Sequence, residues 1–260
     1  MLLAIDSSAG ASAAVIRNGG LLASWRTEET ASHAEVLAPA VQRVLAESGL
    51  SGGQTGSPPA TEHGGMLQAV VVGVGPAPFT GLRVGLALAH TLAEVWRLPL
   101  YGVCSLDSPA LRAVRGGVEA EFAVATDARR REVYWALYRA ETSAAPFGDA
   151  ASLVGPIPLD GPHVGSAAAV PAVPVVGVGA KLYPEVLRAA ELPGTKPSGA
   201  DPQVWLPDAV ELGLLAEAAL SSDQSAADRA LTGVLRQPLP LYLRESDATV
   251  PQQMQKGGGA

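Results

Sequence analysis

The sequence predicts an α/β protein built from two successive lobes. Short apolar runs typical of strands alternate with longer runs whose apolar residues recur at helical spacing. The order strand, strand, strand, helix, strand, helix is complete by about residue 103, and a similar series starts at residue 104. With 260 residues, of which 48% are hydrophobic and 17% charged, the chain can bury a core in each lobe.

The first lobe opens with three strands. Leu2–Asp6 and Ser12–Ile16 form the first pair, and Asn18 and Gly19 then supply the two positive-φ positions of a tight turn. Leu21–Arg26 returns as the third strand. These three segments therefore predict a meander of antiparallel strands.

A helix follows the three strands. The sequence from Ser32 to Glu35 is a capping box, and Gly49 ends the helix in the position that glycine usually takes. The apolar face of this helix consists of Leu37, Val41, Val44 and Leu45. Residues 51–65 then form a low-complexity loop, which we expect to pack no core.

The segment from residue 70 to residue 96 is the most informative part of the chain. A buried strand, Ala69–Val74, runs through a Gly/Pro turn into a long helix, Thr80–Trp96, that carries two apolar stripes. The first stripe consists of Leu82, Leu86, Ala89, Ala93 and Trp96, and the second consists of Val84, Leu88, Thr91 and Val95. One stripe can cover the helix's own sheet, so the other predicts contact with a further helix, from this chain or another.

The second lobe repeats the pattern less regularly. We expect a helix and three strands at Leu106–Arg115, Phe122–Thr126, Val133–Tyr138 and Pro174–Val178. Residues 140–174 are expected to form a loose connection, and a helix after residue 178 is expected to extend to about Ala190. A last helix, Asp208–Leu220, has Pro207 at its start and acidic residues in its first turn.

These elements predict a duplicated fold. We expect lobes at residues 1–103 and 104–205, with residues 206–244 packing back on the first lobe and a disordered tail at 245–260. Two β-rich α/β halves, the first of which has a hairpin after an aspartate, are typical of the actin-like ATPase (ASKHA) fold. The predicted fold class is therefore two actin-like lobes of the βββαβα type.

The amino-acid composition limits which functions and which cellular compartment suit this chain. The net charge is −7, and Arg129–Arg131 is the one basic cluster, so we expect any contact with tRNA or DNA to be indirect. The cluster is either a solvated turn or part of a basic surface that a partner complex presents to nucleic acid. Cys104 is the one cysteine, which excludes an intrachain disulfide and fits a reducing cytoplasm. The apolar start, Met1–Ile5, is too short for a signal peptide or a membrane span.

The histidines argue against metal-dependent hydrolysis. The four residues, His33, His63, His90 and His163, are scattered, and no H-x-x-x-H or H-E-x-x-H pair places two imidazoles on one helical face. We therefore predict no metal site and no catalytic residue of this kind.

Four residues are candidates for binding a nucleotide cofactor, ATP or ADP. Asp6 ends the first strand, where actin-like phosphotransferases have a metal-linked carboxylate, and Asp127 is the second carboxylate that a magnesium site would need. Gly177 and Gly179 lie where such folds pass the adenosine. The alternative is local: both aspartates are common in turns, and the glycines suit a tight strand-to-helix turn.

The turn at residues 75–80 also has two interpretations. It could hold a phosphate at the start of the helix that follows. Alternatively, Gly75 and Pro76 make a simple turn and Thr80 caps the helix. Pro78 favours the second interpretation because it stiffens the turn and removes a backbone N–H.

Six segments, in order along nearly the whole chain, resemble the TsaB family of bacterial tRNA threonylcarbamoyladenosine biosynthesis proteins. They are LAIDS at 3–7, residues 33–37 with Pro39, GPAPFTGLRVG at 75–85, TDARRREVY at 126–134, GVGAKLY at 177–183 and PLYLR at 240–244. Taken together, these segments are specific. One departure is that Ala77-Pro78 stands where the family has Gly-Ser.

The resemblance implies a cytoplasmic, non-catalytic protein with an actin-like fold. Such a protein is required for making N6-threonylcarbamoyladenosine beside the anticodon and binds its catalytic paralogue, the threonylcarbamoyltransferase TsaD. A pathway ATPase, TsaE, is a further implied partner, and ATP or ADP is a possible ligand at the interface with the partner. We expect a homodimer when the chain is alone, because the same apolar surface would then be covered by a second copy.

The resemblance also implies a partner interface on two helices, here Ser32–Ala46 and Thr80–Trp96. Its candidate residues are His33, Leu37, Val41, Thr80, Leu82, Arg83, Leu86 and Ala89. Arg83 lies in a first helical turn, where positive charge is unfavourable, and is expected to pair with an acidic group of the partner. Glutamate at Leu82 or Leu86 is expected to abolish partner binding without unfolding the chain.

Two other functions stay open at this stage. An actin-fold kinase or ATPase acting on a small molecule would turn over ATP and lose that activity when Asp6 is replaced. An inactive peptidase-like chaperone is a weaker alternative.

Overall fold

The first sheet has six strands and is built from both ends of the chain. The computed structural model describes residues 1–27, 33–140, 155–191, 205–221 and 233–244. In chain order the strands are β1 (Leu2–Asp6), β2 (Ala11–Arg17), β3 (Gly20–Thr27), β4 (Ala69–Gly73) and β5 (Leu100–Val103), and the sixth is β10 (Leu235–Arg236). Their order across the sheet is β10-β5-β4-β1-β2-β3.

Strand pairing in this sheet follows the predicted meander. β1 and β2 are antiparallel, as are β2 and β3, and β1 is parallel to β4. Asn18 and Gly19 have φ angles of 51° and 73° between β2 and β3, so the predicted tight turn is confirmed.

Helices cover both faces of the first sheet. Two of them, α1 (His33–Glu47) and α2 (Phe79–Trp96), pack on the face that carries Leu3 and Ile5 of β1. Helix α5 (Ala209–Ser221) packs on the other face, which carries Leu2 and Ala4. Because successive side chains of a strand point to opposite faces, β1 is apolar from Leu2 to Ile5 and only its last residue, Asp6, is charged.

The second sheet repeats the central strands of the first. It contains β6 (Glu121–Asp127), β7 (Val133–Ala140), β8 (Pro156–Gly165) and β9 (Val175–Val176), in the order β8-β7-β6-β9. β6 pairs antiparallel with β7 and parallel with β9, just as β1 pairs with β2 and β4. Within the described ranges the connection from β8 to β9 holds a 3₁₀ turn, Ala167–Ala169, where the first lobe has α1.

Several predicted elements need correction. Residues 140–174 were expected to be loose, but β8 lies there and forms an edge of the second sheet. The helix after β9 is short: α4 spans Val178–Leu182, because Pro184 lacks the N–H that a continuing helix needs. The loop 51–65 contributes no residue to the hydrophobic cores, as expected, but it does contact α2, since the N–H of Gly56 donates to the Val95 carbonyl at 2.7 Å.

The remaining helices connect the two sheets. Helix α3 (Asp107–Arg115) lies between β5 and β6 in the chain and packs against α5. Helix α5 begins one residue later than predicted, because the Asp208 side chain accepts a hydrogen bond from the N–H of Val210 at 3.0 Å and so caps it. The predicted tail at 245–260 lies outside the described residues, and the division into lobes at 103 and 205 stays a prediction.

Candidate functional site

Helix α2 turns its first apolar stripe toward its own sheet. Leu82 and Ala89 are fully buried, and Leu86, Ala93 and Trp96 are nearly so. The helix sits close to the end of β1. A Cβ on Gly85 would lie 2.5 Å from the Ser7 hydroxyl, which accepts a hydrogen bond from the Gly85 N–H at 2.9 Å. This stripe therefore anchors the helix.

The second stripe of α2 is only half-buried. Val84, Leu88 and Val95 pack with one side against the first core, and Leu92 extends the same row. Thr91 is exposed, and its hydroxyl donates to the Ala87 carbonyl at 2.8 Å. We call Val84, Leu88, Thr91, Leu92 and Val95 the outer stripe. Its polar hydroxyl is satisfied within the helix, so the stripe presents mainly apolar surface.

The structure buries most of the side chains that were expected to contact a partner. Leu37, Val41, Leu82, Leu86 and Ala89 all belong to the first core and have at most 6% of their surface exposed. Buried side chains hold α1 and α2 on the sheet and cannot touch another protein. His33 begins α1, and its side chain lies outside the described residues. An interface on these helices stays a prediction, and the residues of α2 that are accessible for it include the outer stripe and the exposed Thr80 and Arg83.

The start of α2 differs from the predicted cap. The helix begins at Phe79, its N-cap is Pro78, and no side chain caps it, so Thr80 is an exposed first-turn residue. Arg83 was expected to pair with a partner's acid. In this structure its Nε donates to the Tyr242 hydroxyl at 2.9 Å, and its guanidinium lies 3.5 Å from the centre of the Phe79 ring.

The Asp6 carboxylate is buried and accepts three hydrogen bonds. One oxygen accepts hydrogen bonds from the Ser8 N–H at 2.9 Å and the Ser8 hydroxyl at 2.7 Å, and the other accepts from the Ser105 hydroxyl at 2.7 Å. A Cβ on Gly73 would overlap it. Burial raises the pKa of Asp6, although the bonds from Ser105 and Ser8 lower it. Asp6 thereby ties the end of β1 to the segment after β5.

The other candidate cofactor residues are also used locally. Asp127 accepts a hydrogen bond from the Arg129 N–H at 2.7 Å, and its other oxygen is 3.1 Å from the Arg129 guanidinium. Gly177 has a φ angle of 94°, and a Cβ there would lie 2.5 Å from the Ala125 carbonyl. Gly179 packs as tightly, with a Cβ position 2.6 Å from that of Ala125. These contacts match the interpretation of Asp127, Gly177 and Gly179 as residues of local turns.

The described residues form no metal-ligand cluster, and their clefts differ greatly in size. Among the described residues no three His, Cys, Asp or Glu side chains converge as metal ligands would. The cleft beside the β1–β2 hairpin, between Gly10 and Asp208, has a volume of about 30 Å³. That is far below the space of a nucleotide. A second cleft, lined by residues 117–121, Pro174 and residues 188–191, has a volume of about 460 Å³, but none of the four candidate cofactor residues lines it.

The sequence matches a known family over most of its length. Residues 27–252 fit the family described as TsaD, tRNA N6-adenosine threonylcarbamoyltransferase. The chain belongs to this family. Within it the chain is TsaB-like, so the resemblance seen in the six segments is confirmed.

Similar proteins cover this chain to different extents. An uncharacterised protein of Mycobacterium tuberculosis is 35% identical over 250 residues, 95% of this chain and 93% of that protein. The tRNA threonylcarbamoyladenosine biosynthesis protein TsaB of Escherichia coli is 32% identical over 148 residues, 57% of this chain and 59% of TsaB. The solved structure of YeaZ from Pseudomonas aeruginosa has a TM-score of 0.64 at 27% identity and covers 93% of this chain and 99% of YeaZ. The predicted actin-like fold class is confirmed.

In this TsaD-family chain the C-terminal segment 237–244, here called the strap, crosses α2. The Leu241 N–H donates to the Val74 carbonyl at 2.8 Å, and a ring nitrogen of His90 lies 2.8 Å from the Pro238 carbonyl. Sequence reasoning missed this contact. The sequence signal for this contact was the aromatic Tyr242 and the basic Arg244 of PLYLR, but this motif lies far from α2 along the chain.

A buried carboxyl lies where α3 meets the second sheet of this TsaD-family fold. Asp107 accepts a hydrogen bond from the Tyr138 hydroxyl at 2.7 Å. Burial raises the pKa of Asp107 to about 6, although the hydrogen bond from Tyr138 and the charge of Arg236 both lower it. The carboxyl is therefore protonated more readily in the native state than in the unfolded chain, where its pKa is 3.8.

This shift predicts a pH dependence of stability. Between about pH 4 and pH 6 the native state binds the proton more strongly, so the contribution of Asp107 to stability falls as pH rises. Asp107→Asn removes the titration. We expect the free energy of unfolding of the unmodified chain, relative to this variant, to fall by up to about 3 kcal/mol from pH 4 to pH 7 in urea titrations. Asp160→Asn, at an exposed carboxylate, serves as the control, and parallel curves for the unmodified chain and Asp107→Asn would contradict the prediction.

Proposed function

We propose that this chain is a non-catalytic, cytoplasmic subunit in the formation of N6-threonylcarbamoyladenosine in tRNA. Its role is to bind and activate the threonylcarbamoyltransferase paralogue TsaD. Relatives named for this pathway support the proposal, because they match more than half of the chain. The observation that carries it is the outer stripe of α2, an apolar surface on a helix that is already anchored by its opposite face.

The outer stripe has the chemistry of a helix-packing interface. Large contiguous apolar patches are rare on proteins that act alone, and each square ångström buried contributes roughly 25 cal/mol. Small residues beside the stripe, Gly81 and Ala87, leave room for a second helix to approach closely. In the absence of TsaD a second copy of the chain covers the same stripe, which gives a homodimer. TsaE joins the complex.

A small-molecule kinase is the less favoured alternative. A magnesium-linked phosphate needs a carboxylate with free oxygen lone pairs. Both Asp6 oxygens accept hydrogen bonds from serine groups, and Asp127 is engaged by Arg129. Each candidate carboxylate thus already has protein partners where a kinase would need metal ligands.

Reconstitution tests the proposal. TsaD, TsaE, threonylcarbamoyladenylate, ATP and unmodified tRNA are combined with or without this chain, and modified adenosine is measured by mass spectrometry. We expect modification only when the chain is present and negligible ATP hydrolysis by the chain alone. Modification that persists without the chain would refute the subunit role, and ATP turnover by the chain alone that is lost in Asp6→Asn would favour the kinase.

A further inference from the structure

Exposed aromatic and arginine side chains meet where the strap crosses the start of α2. The rings of Phe79 and Tyr242 stack with their centres 5.1 Å apart. Tyr242 is also held by the hydrogen bond from Arg83, yet 41% of its surface stays exposed. The result is a fixed aromatic ring beside a guanidinium on the protein surface.

The strap continues from Tyr242 to a second basic group. Arg244 donates from Nη1 to the Ala128 carbonyl at 3.1 Å, and its other terminal nitrogen pairs with Glu132. Both residues belong to the turn between β6 and β7. The tip of that turn, residues 129–131, consists of three exposed arginines.

The arginine turn has an unusual backbone. Arg129, Arg130 and Arg131 have φ angles of 61°, 56° and 63°, in the left-handed region that costs a non-glycine residue roughly 1–2 kcal/mol. Such conformations persist when surrounding contacts hold them, and they cluster at functional sites. Here the Asp127 carboxylate holds one side of the turn, and the Ala128 N–H donates to the Glu132 carbonyl at 3.0 Å across its base.

We call this surface the arginine–aromatic strip. It consists of Phe79, Arg83, Tyr242, Arg244, Arg129, Arg130 and Arg131. Of its five arginines, Arg129 pairs with Asp127 and Arg244 pairs with Glu132, in a chain whose net charge is −7. Every cation in the strip is arginine, whose planar fork matches phosphate oxygens, and Tyr242 offers a face on which a base can stack.

We infer that the arginine–aromatic strip binds a single-stranded segment of RNA, with phosphates on the arginines and a base on Tyr242. An acidic protein would pair with the arginines but would gain little from the exposed ring, so RNA is the favoured ligand. This inference deepens the proposed function. It rests on that function because the proposed function identifies the RNA as tRNA. It replaces the expectation, based on net charge, that contact with tRNA is indirect.

The strip and the outer stripe can be occupied together. Arg83 and His90 face the strap, whereas Val84 and Leu88 lie roughly a third of a helical turn away around α2. A partner on the outer stripe therefore leaves the strip open. This separation also lets the two proposals be tested independently.

Binding of the full chain to a fluorescein-labelled single-stranded RNA of roughly 12 nucleotides tests the inference by fluorescence anisotropy. Arg130→Gln with Arg131→Gln is expected to weaken binding about tenfold at low salt and to reduce the slope of log K against log salt by about 1.4. Tyr242→Ala is expected to weaken binding without changing that slope. Tyr242→Phe keeps the ring and is expected to preserve binding. Arg139→Gln, an exposed arginine at the opposite end of β7, is the matched control and is expected to bind normally.

Three results would overturn the inference. They are no RNA binding by the unmodified chain, equal binding by the double-arginine variant, and displacement of RNA by the same concentration of inorganic phosphate. Poly-glutamate binding that depends on the strip, without RNA binding, would assign the surface to an acidic protein instead. Thermal unfolding of each variant checks that the fold is kept. RNA binding is measured without TsaD, so failure of the subunit role leaves this result unaffected.

Discussion

Leu82→Glu is expected to unfold the first lobe. The Leu82 side chain is fully buried between α2 and the sheet, so the substitution removes apolar contacts and places a carboxylate where no partner can solvate it. Even Leu82→Ala is expected to cost about 3 kcal/mol, and a domain's total stability is roughly 5–15 kcal/mol. Circular dichroism during urea denaturation measures the loss.

The matched control lies two residues further along the same helix. Val84→Glu introduces the same charge on the half-buried outer stripe and is expected to keep the free energy of unfolding within about 1 kcal/mol of that of the unmodified chain. A Leu82→Glu protein with the normal midpoint would show that α2 does not pack as described. This prediction replaces the expectation that glutamate at Leu82 or Leu86 leaves the fold intact, since both side chains belong to the core.

Val84→Glu combined with Leu88→Glu is expected to abolish partner binding in a folded protein. Each carboxylate would be buried without a counter-charge when a second helix covers the outer stripe. A penalty of about 3 kcal/mol lowers the affinity for TsaD roughly a hundredfold. The variant is also expected to be monomeric, because the same stripe is proposed to hold the homodimer.

Isothermal titration calorimetry with TsaD and size-exclusion chromatography measure these two effects. Leu159→Glu is the matched control, since it places the same charge on an exposed apolar residue of β8 in the second sheet. Normal TsaD affinity in the Val84/Leu88 variant would exclude the outer stripe as the interface. Loss of affinity in Leu159→Glu as well would show that the charge acts nonspecifically.

The two stripes of α2 show what the sequence could and could not predict. Helical spacing correctly separated Leu82 and Leu86 from Val84 and Leu88, because that spacing is a local property. Which stripe faces the sheet depends on how α2 meets the end of β1, where Gly85 approaches Ser7. That contact spans 78 residues, so no local pattern reveals it.

The missed strand β8 and the missed strap have different causes. β8 contains Pro158, Gly161 and Pro162, which normally argue against a strand, but β8 lies at the edge of its sheet, where a missing N–H is tolerated. Tyr242 reaches Arg83 across 159 residues. The role of Asp6 as an internal tie likewise depends on Ser105, which is distant in sequence.

The return of α5 and β10 to the first sheet has a consequence for how the chain is made. Strands β1, β2 and β4 leave the ribosome early, yet the helix that covers their second face lies at residues 209–221. Until those residues emerge, the apolar side chains Leu2, Ala4 and Val71 have no cover. The nascent first lobe is thus open to aggregation throughout synthesis of the second, which makes it a natural client for a chaperone during translation.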